Sequence, residues 1–430
     1  MRTFPRLLLA LLTASALGLN SPVFADTAAP VPASFAQDFE IFWQYVDENY
    51  AYFDARKTDW KTVHEKYGQQ VKSITSKRDF VAMMEAVVAE LYDSHAHLAT
   101  SLPHSPRLVP TGTDLWAEWQ GQDAIITDVR ANSAAERAGL RVGMKVLEVH
   151  GQLVAQAVTQ FGPPSLKTAD PVARDWALRV ALAGPRNQAV KIKVTSTQGQ
   201  GQAQGQVQEM TFTPGVERPA TPLSSRNLDE IGYIRINNSL GDSALIAAFD
   251  EALGKLENSK ALILDLRDTP SGGNTFVARG MMGRLISQDQ AYQKHELVSE
   301  MRESGIKRSW VEYVSPRGKF IYKQPIVVLA GHWTGSMGEG MTIALDGMQR
   351  ATIVGTRMAG LLGALGEVSL PHAGFIVRIP NEKLFHLNGT PRESFVPGIA
   401  IDTAKQEPGK DAALDVAVDL LRRQLAKDSK

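Results

Sequence analysis

The sequence predicts a multidomain protein of the α/β class, and three observations carry that prediction. Apolar residues recur at helical spacing near the N-terminus, short alternating runs between glycine turns follow, and from about Ile231 onward continuously apolar strands alternate with helical segments. A chain of 430 residues with 43% hydrophobic content has room for two or three such units, each with its own core.

Arg2 and Arg6 precede the apolar run Leu7 to Leu19, which ends in Pro22 and the small-residue pattern Val23-Phe24-Ala25. This is the layout of a secretory leader, so residues 1–25 are read as a signal peptide cleaved after Ala25. A membrane anchor is the alternative reading, but the run falls short of the roughly 20 apolar residues that span a bilayer. No other segment is long and apolar enough to insert stably, and the absence of cysteine rules out a lipidated cysteine or a disulfide. A soluble protein of the Gram-negative periplasm is the expectation. Basic and acidic residues both count 46, so no net charge draws nucleic acid or an anionic surface, and no nucleic-acid partner is expected.

Residues 32–105 form the expected N-terminal helical domain. Phe35, Phe39, Phe42 and Val46, then Phe80, Met84, Val87 and Leu91, fall on single helix faces, and Ser34 with Gln37 and Ser76 with Asp79 are candidate capping boxes. An aromatic stripe at this spacing is read as core rather than as a ligand surface. Residues 108–215 form a β-rich module, with strands such as Ala124 to Val129 and Lys145 to Val149. Thr197 to Gln208, rich in glycine and glutamine, reads as a loose hairpin or loop. Residues 225–425 alternate strands with helices at Ser243 to Leu256, Thr275 to Ile286 and Met337 to Met348, the pattern of a partly parallel sheet covered on both faces.

Two turns in this last unit bear on chemistry. Ser336 follows the strand ending at Ala330 and opens a helix, so its hydroxyl lies at a strand-to-helix turn and the Met337 amide is one of the unsatisfied donors at the helix start, available to an oxyanion. Taken alone, Ser336 also reads as a plain N-cap. Gly272 and Gly273 sit in a second turn, after the strand ending at Leu266, where backbone amides can approach a ligand closely; a simple tight turn is the alternative.

Together these segments resemble the S41 peptidase superfamily, which comprises carboxyl-terminal processing peptidases and the catalytic core of tricorn protease. The resemblance covers most of the chain after the leader and implies a ClpP/crotonase-like α/β catalytic domain. The stretch from Ser133 through Gly139 and Gly143 to Gly151 resembles the central signature of a PDZ domain, which takes a peptide C-terminus as an added strand. In the superfamily the serine three residues before the glutamate opening the helix is the nucleophile, which implies Ser336 with Glu339. Processing peptidases pair that serine with a lysine where this chain has Met358-Ala359-Gly360-Leu361-Leu362-Gly363, so the dyad lysine is absent.

Histidine is then the expected base. His64, His104, His150 and His295 are placed in exposed helix or surface turns, His332 is close enough to Ser336 to line the cleft, and His372 and His386 lie in late strands or turns. Asp93-Ser94-His95 resembles the segment closing the helical domain of tricorn-like members, whose Ser-His-Ser-Glu tetrad implies Ser94 and His95 here, with His97 as the alternative. The tetrad glutamate is implied at Glu393, which also reads as a solvated loop carboxylate. His95-x-His97 lacks a third ligand of familiar spacing, so no metal is expected, nor any organic cofactor. The implied activity is a serine-type peptidase with catalytic Ser336, His95, Glu393 and Ser94 and an oxyanion hole from Gly272, Gly273 and Met337. It would act on protein or peptide substrates with help from the PDZ module. A catalytically inactive binding scaffold and an acyl esterase are the rival readings.

Overall fold

The computed structural model describes residues 34–196, 205–406 and 409–428. The expected leader and residues 197–204 of the glycine- and glutamine-rich insert lie outside the described residues. From Phe35 onward the described residues form one compact unit.

Three helices open it: α1 (Phe35–Asn49), α2 (Trp60–Gln70) and α3 (Lys77–Ala89). The predicted stripe is core, with Phe39, Phe42, Val46, Phe80, Met84 and Val87 fully buried. Ser76 caps α3 by accepting from the Asp79 N–H at 3.1 Å. These helices do not build a core of their own, as a separate domain would. Their apolar faces pack on Val368, Leu370, Val377 and Ile379, from strands near the other end of the chain. The short strand β1 (His97–Leu98) continues that union, pairing His97 with Arg378 and Leu98 with Val377.

The β-rich module follows as β2 (Leu115–Gln120), β3 (Asp123–Val129), α4 (Ala134–Arg137), β4 (Lys145–Val149), β5 (Gln152–Leu153), α5 (Val154–Ala157), α6 (Pro171–Ala183), β6 (Val190–Thr195) and β7 (Val207–Phe212). Its antiparallel sheet runs β2-β3-β4-β6-β7 with β5 on β4, around a core of Leu115, Ile126, Leu140, Val146 and Leu178. Strands β6 and β7 pair from Val190–Phe212 to Thr195–Val207.

The remainder contains β8 (Leu223–Leu228), β9 (Ile231–Ile236), α7 (Ala244–Lys255), β10 (Ala261–Asp265), α8 (Thr275–Met282), β11 (Gln290–Leu297), α9 (Val298–Ser304), β12 (Arg308–Val314), β13 (Ile326–Ala330), α10 (Met337–Gly347), β14 (Thr352–Gly355), β15 (Ala364–Leu370), β16 (Phe375–Phe385), β17 (Ile399–Ala400) and α11 (Ala412–Asp428). One sheet has the order β17-β14-β13-β10-β9-β8, parallel except for β8 at its edge. Every residue of β10 and β13 is buried, because one face packs on α7, α8 and α10 and the other on α11, which explains their apolar sequence up to the terminal Asp265 of β10. The second sheet runs β1-β16-β11-β12 with β15 on β16.

Because β10 and β13 are adjacent and parallel, the turns that leave their C-terminal ends are neighbours. Thr269 N–H donates to Trp333 O at 3.0 Å and Gly335 N–H to Thr269 O at 3.2 Å, locking the two turns together. The β-rich module is tied to both. His332 Nδ1 bonds Asp128 at 2.9 Å, Trp333 Nε1 donates to Thr113 O at 2.9 Å, and Arg130 pairs with Asp268, which is 4% exposed and also meets Arg218 and Arg235 at 3.2 and 3.3 Å. Removing one partner from a buried ion cluster strands the others, so Asp268→Ala is expected to lower stability by about 3 kcal/mol in chemical denaturation.

Candidate active site

Ser336 stands at the N-terminus of α10 with φ 50° and ψ −112°, a left-handed backbone that a serine occupies only where its surroundings enforce it. Two contacts enforce it. The Ser336 N–H donates to the Glu339 carboxylate at 2.7 Å, and the backbone of Gly272 presses on its side chain so closely that a β-carbon at 272 would lie 2.4 Å from Ser336 Cβ. Gly272 and Gly273 themselves have φ of 61° and 155°, where only glycine is unstrained.

Opposite Ser336 stands His95, carried in by the turn between α3 and β1. Asp93 shapes that turn by accepting the His95 N–H at 2.9 Å, and Asp93 is itself held by the Tyr50 hydroxyl at 2.9 Å. His95 Nε2 lies 3.1 Å from Ser336 Oγ, while Nδ1 lies 2.6 Å from the Leu362 carbonyl oxygen. A carbonyl only accepts, so Nδ1 carries the hydrogen and Nε2 turns its lone pair to the serine hydroxyl. Ser336 is therefore more than an N-cap: its hydroxyl is the hydrogen-bond partner of a buried imidazole. Burial, and then the nearby charge of Arg392, push the His95 pKa down to about 3. The imidazole is thus expected to stay neutral across physiological pH. In nitrogen-15 NMR its ring should show no titration between pH 5 and 8, and a midpoint at the ordinary value near 6.5 would contradict this geometry.

The other expected residues are distributed differently. His97 turns back on the chain, with its Nδ1 on the His95 carbonyl at 2.7 Å. Among the described residues neither Ser94 nor Glu393 makes the expected hydrogen bond to the His95 ring, and the position an orienting acid would take on Nδ1 is filled by Leu362 O. Glu393 instead lines a cavity of about 630 Å³ with Tyr52, Lys294 and Lys383, where its Oε2 is buried without a partner. Burial raises its pKa. Gly272 also departs from expectation, because its N–H already donates to Thr269 O at 3.0 Å as part of the turn. Among the described residues no acceptor lies on the N–H of Gly273 or Met337, leaving these two amides free beside the serine.

His332 stacks on Trp116 rather than facing Ser336, and His372 and His386 bond Asp38 and Asp346. His295, expected in an exposed position, is instead buried in β11 between Gln293 and Glu382, because β11 is an interior strand of the second sheet. No group of three or more potential metal ligands occurs among the described residues.

Two residues that sequence reasoning left without a role stand behind the pair. Glu339 is fully buried and accepts three N–H groups, those of Ser336, Gly360 and Leu361, and burial raises its pKa to about 7 against the opposing effects of Arg392 and these bonds. Arg392 donates to the Leu361 and Gly363 carbonyls, both at 2.8 Å. The Ser-x-x-Glu spacing of a capping box was a visible signal for Glu339. Nothing local distinguished Arg392.

Comparison with known proteins places this geometry in context. Residues 230–403 match the model of peptidase family S41, and residues 31–89 match that of the tricorn protease C1 domain. A carboxyl-terminal-processing protease of Synechocystis sp. is 24% identical over 416 residues, which is 91% of this chain and 88% of that one. Among solved structures, the photosystem II D1 C-terminal processing protease aligns over 86% of this chain and 94% of its own, with 18% identity and a TM-score of 0.55. Mature CPAF complexed with lactacystin aligns over 92% of this chain and 97% of its own, with 15% identity and a TM-score of 0.56.

Proposed function

We propose that this chain, which belongs to the S41 peptidase superfamily and is a serine-type peptidase, cleaves protein or peptide substrates through an acyl-enzyme on Ser336, with His95 as the base. The observation that carries the reading is the 3.1 Å contact of His95 Nε2 with Ser336 Oγ, together with the carbonyl on Nδ1 that fixes the proton on the far side of the ring.

Ser336 Oγ attacks the scissile carbonyl carbon and its proton passes to His95 Nε2, while the carbonyl oxygen takes up negative charge facing the free amides of Gly273 and Met337. Collapse of the tetrahedral intermediate breaks the C–N bond, and the leaving amine takes its proton back from His95. A water molecule, deprotonated by the same nitrogen, then releases the acyl group. Kept neutral by burial, the imidazole has its Nε2 lone pair available for the serine proton at neutral pH. No step calls for a metal or organic cofactor.

Two further parts of the reading rest on sequence. The leader pattern supports an exported, periplasmic enzyme, and among the described residues no helix is long and apolar enough to cross a membrane. The Ser133 to Gly151 stretch supports a PDZ module presenting the substrate's C-terminal residues. Fluorophosphonate labelling of the mature protein tests the core of the proposal. Wild type should be labelled at Ser336 and Ser336→Ala should not; a folded wild type that stays unlabelled from pH 5 to 9 would refute it.

A further inference from the structure

We propose that Glu339 and Arg392 are positioning residues that act through the 358–363 loop to hold His95 in the tautomer that can accept the Ser336 proton. The inference rests on the acyl-enzyme reading above and adds to it the parts that replace an orienting carboxylate.

The group on His95 Nδ1 is a main-chain oxygen, Leu362 O at 2.6 Å. Unlike a side-chain carboxylate, a carbonyl points wherever its backbone points. That backbone is permissive: Gly360 and Gly363 flank the Leu361-Leu362 pair with φ of 68° and 50°. Orientation of His95 therefore depends on what pins the loop. Its N–H edge is pinned by Glu339, which accepts from Gly360 at 2.9 Å and Leu361 at 3.3 Å, and its carbonyl edge by Arg392, which donates to Leu361 O and Gly363 O at 2.8 Å. Ala359 N–H adds a tie to Thr334 O at 3.0 Å, two residues before the serine.

Glu339 reaches both members of the reacting pair. It holds Ser336 directly, through the 2.7 Å bond from the serine N–H, and His95 indirectly, through the loop. All three partners of Glu339 are donors, so the carboxylate is satisfied with both oxygens accepting. Glutamine has nearly the same shape but must turn its NH₂ group either toward the Gly360 N–H or toward the Ser336 and Leu361 N–H groups, so it loses at least one tie to the loop. Arg392 is 3% exposed, so its two carbonyl bonds are made out of water.

The test compares wild type with Glu339→Gln and Arg392→Lys, using the His95 ring signals in nitrogen-15 NMR, assigned by difference from His95→Gln, together with fluorophosphonate labelling rates and thermal midpoints. Wild type should show a single ring with Nδ1 protonated. Each variant should show a mixed or exchanging tautomer and label about 10²-fold more slowly, the cost of a misplaced catalytic group. A variant that labels within about threefold of wild type, or slows while its ring keeps the wild-type tautomer, overturns the proposal. Should the variants fail to fold, the wild-type spectrum alone decides, since a ring protonated on Nε2 is incompatible with the assigned role. Failure of the underlying reading looks different: the tautomer shifts as expected in the variants while wild type itself is never labelled.

Discussion

Replacing His95 with alanine is expected to slow acylation of Ser336 by about 10⁴-fold or more, while His97→Ala leaves the rate nearly unchanged. The two histidines are two residues apart, but His95 lies in the turn before β1 while His97 opens that strand, so their side chains enter different surroundings. His95 faces the serine hydroxyl, whereas His97 is bonded back to the His95 carbonyl and its residue is paired with Arg378 in the second sheet. Loss of the His95 ring also removes its bond to Leu362 O, worth about 1 kcal/mol in stability. A drop in thermal midpoint alone therefore does not account for a loss of four decades in rate. The measurement is the second-order rate of fluorophosphonate labelling, followed by mass spectrometry to locate the adduct. Equal labelling of wild type and His95→Ala would remove His95 from the reaction, and loss in His97→Ala instead would transfer the role to it.

Gly272→Ala should also slow the reaction, although position 272 bears no side chain and its amide is occupied. The added methyl would lie 2.4 Å from Ser336 Cβ and 3.0 Å from Oγ, at a residue whose φ is 61°. Either the serine moves or the turn does, and a displacement on the order of 1 Å at the nucleophile costs about 10²-fold in rate. Backbone strain contributes separately, about 1–2 kcal/mol for a non-glycine residue in the left-handed region. Gly389→Ala isolates that second effect, because Gly389 has φ of 92° and nothing within 4 Å of the position a β-carbon would take. Gly272→Ala should thus lose both rate and stability, and Gly389→Ala stability alone. Normal labelling of a folded Gly272→Ala protein would show that the serine does not depend on this contact.

Much of this arrangement was legible in the sequence, for identifiable reasons. The apolar runs Ala261 to Leu264 and Ile326 to Ala330 announce a sheet buried on both faces, and a strand-to-helix turn after each announces where the chemistry gathers. The helical stripe from Phe35 to Val46 is core because helical periodicity leaves an apolar face that must be covered. What covers it was not legible. The partners Val368 to Ile379 come from near the other end of the chain, and no local pattern states which distant strand an apolar face will meet.

The class of the fold is written in apolar spacing and the candidate serine in a strand-to-helix turn, while the histidine segment was legible through its resemblance to tricorn-like members. What stands behind the histidine is set by contacts made on folding. There the sequence pointed to a carboxylate, Glu393, and the fold supplied instead the Leu362 carbonyl, held in place by Glu339 and Arg392. The physical reason is that every residue carries a main-chain carbonyl, so its use as an acceptor leaves no mark on composition. Its direction is fixed by long-range contacts between a helix, a loop and a late turn, and these exist only once the chain has folded.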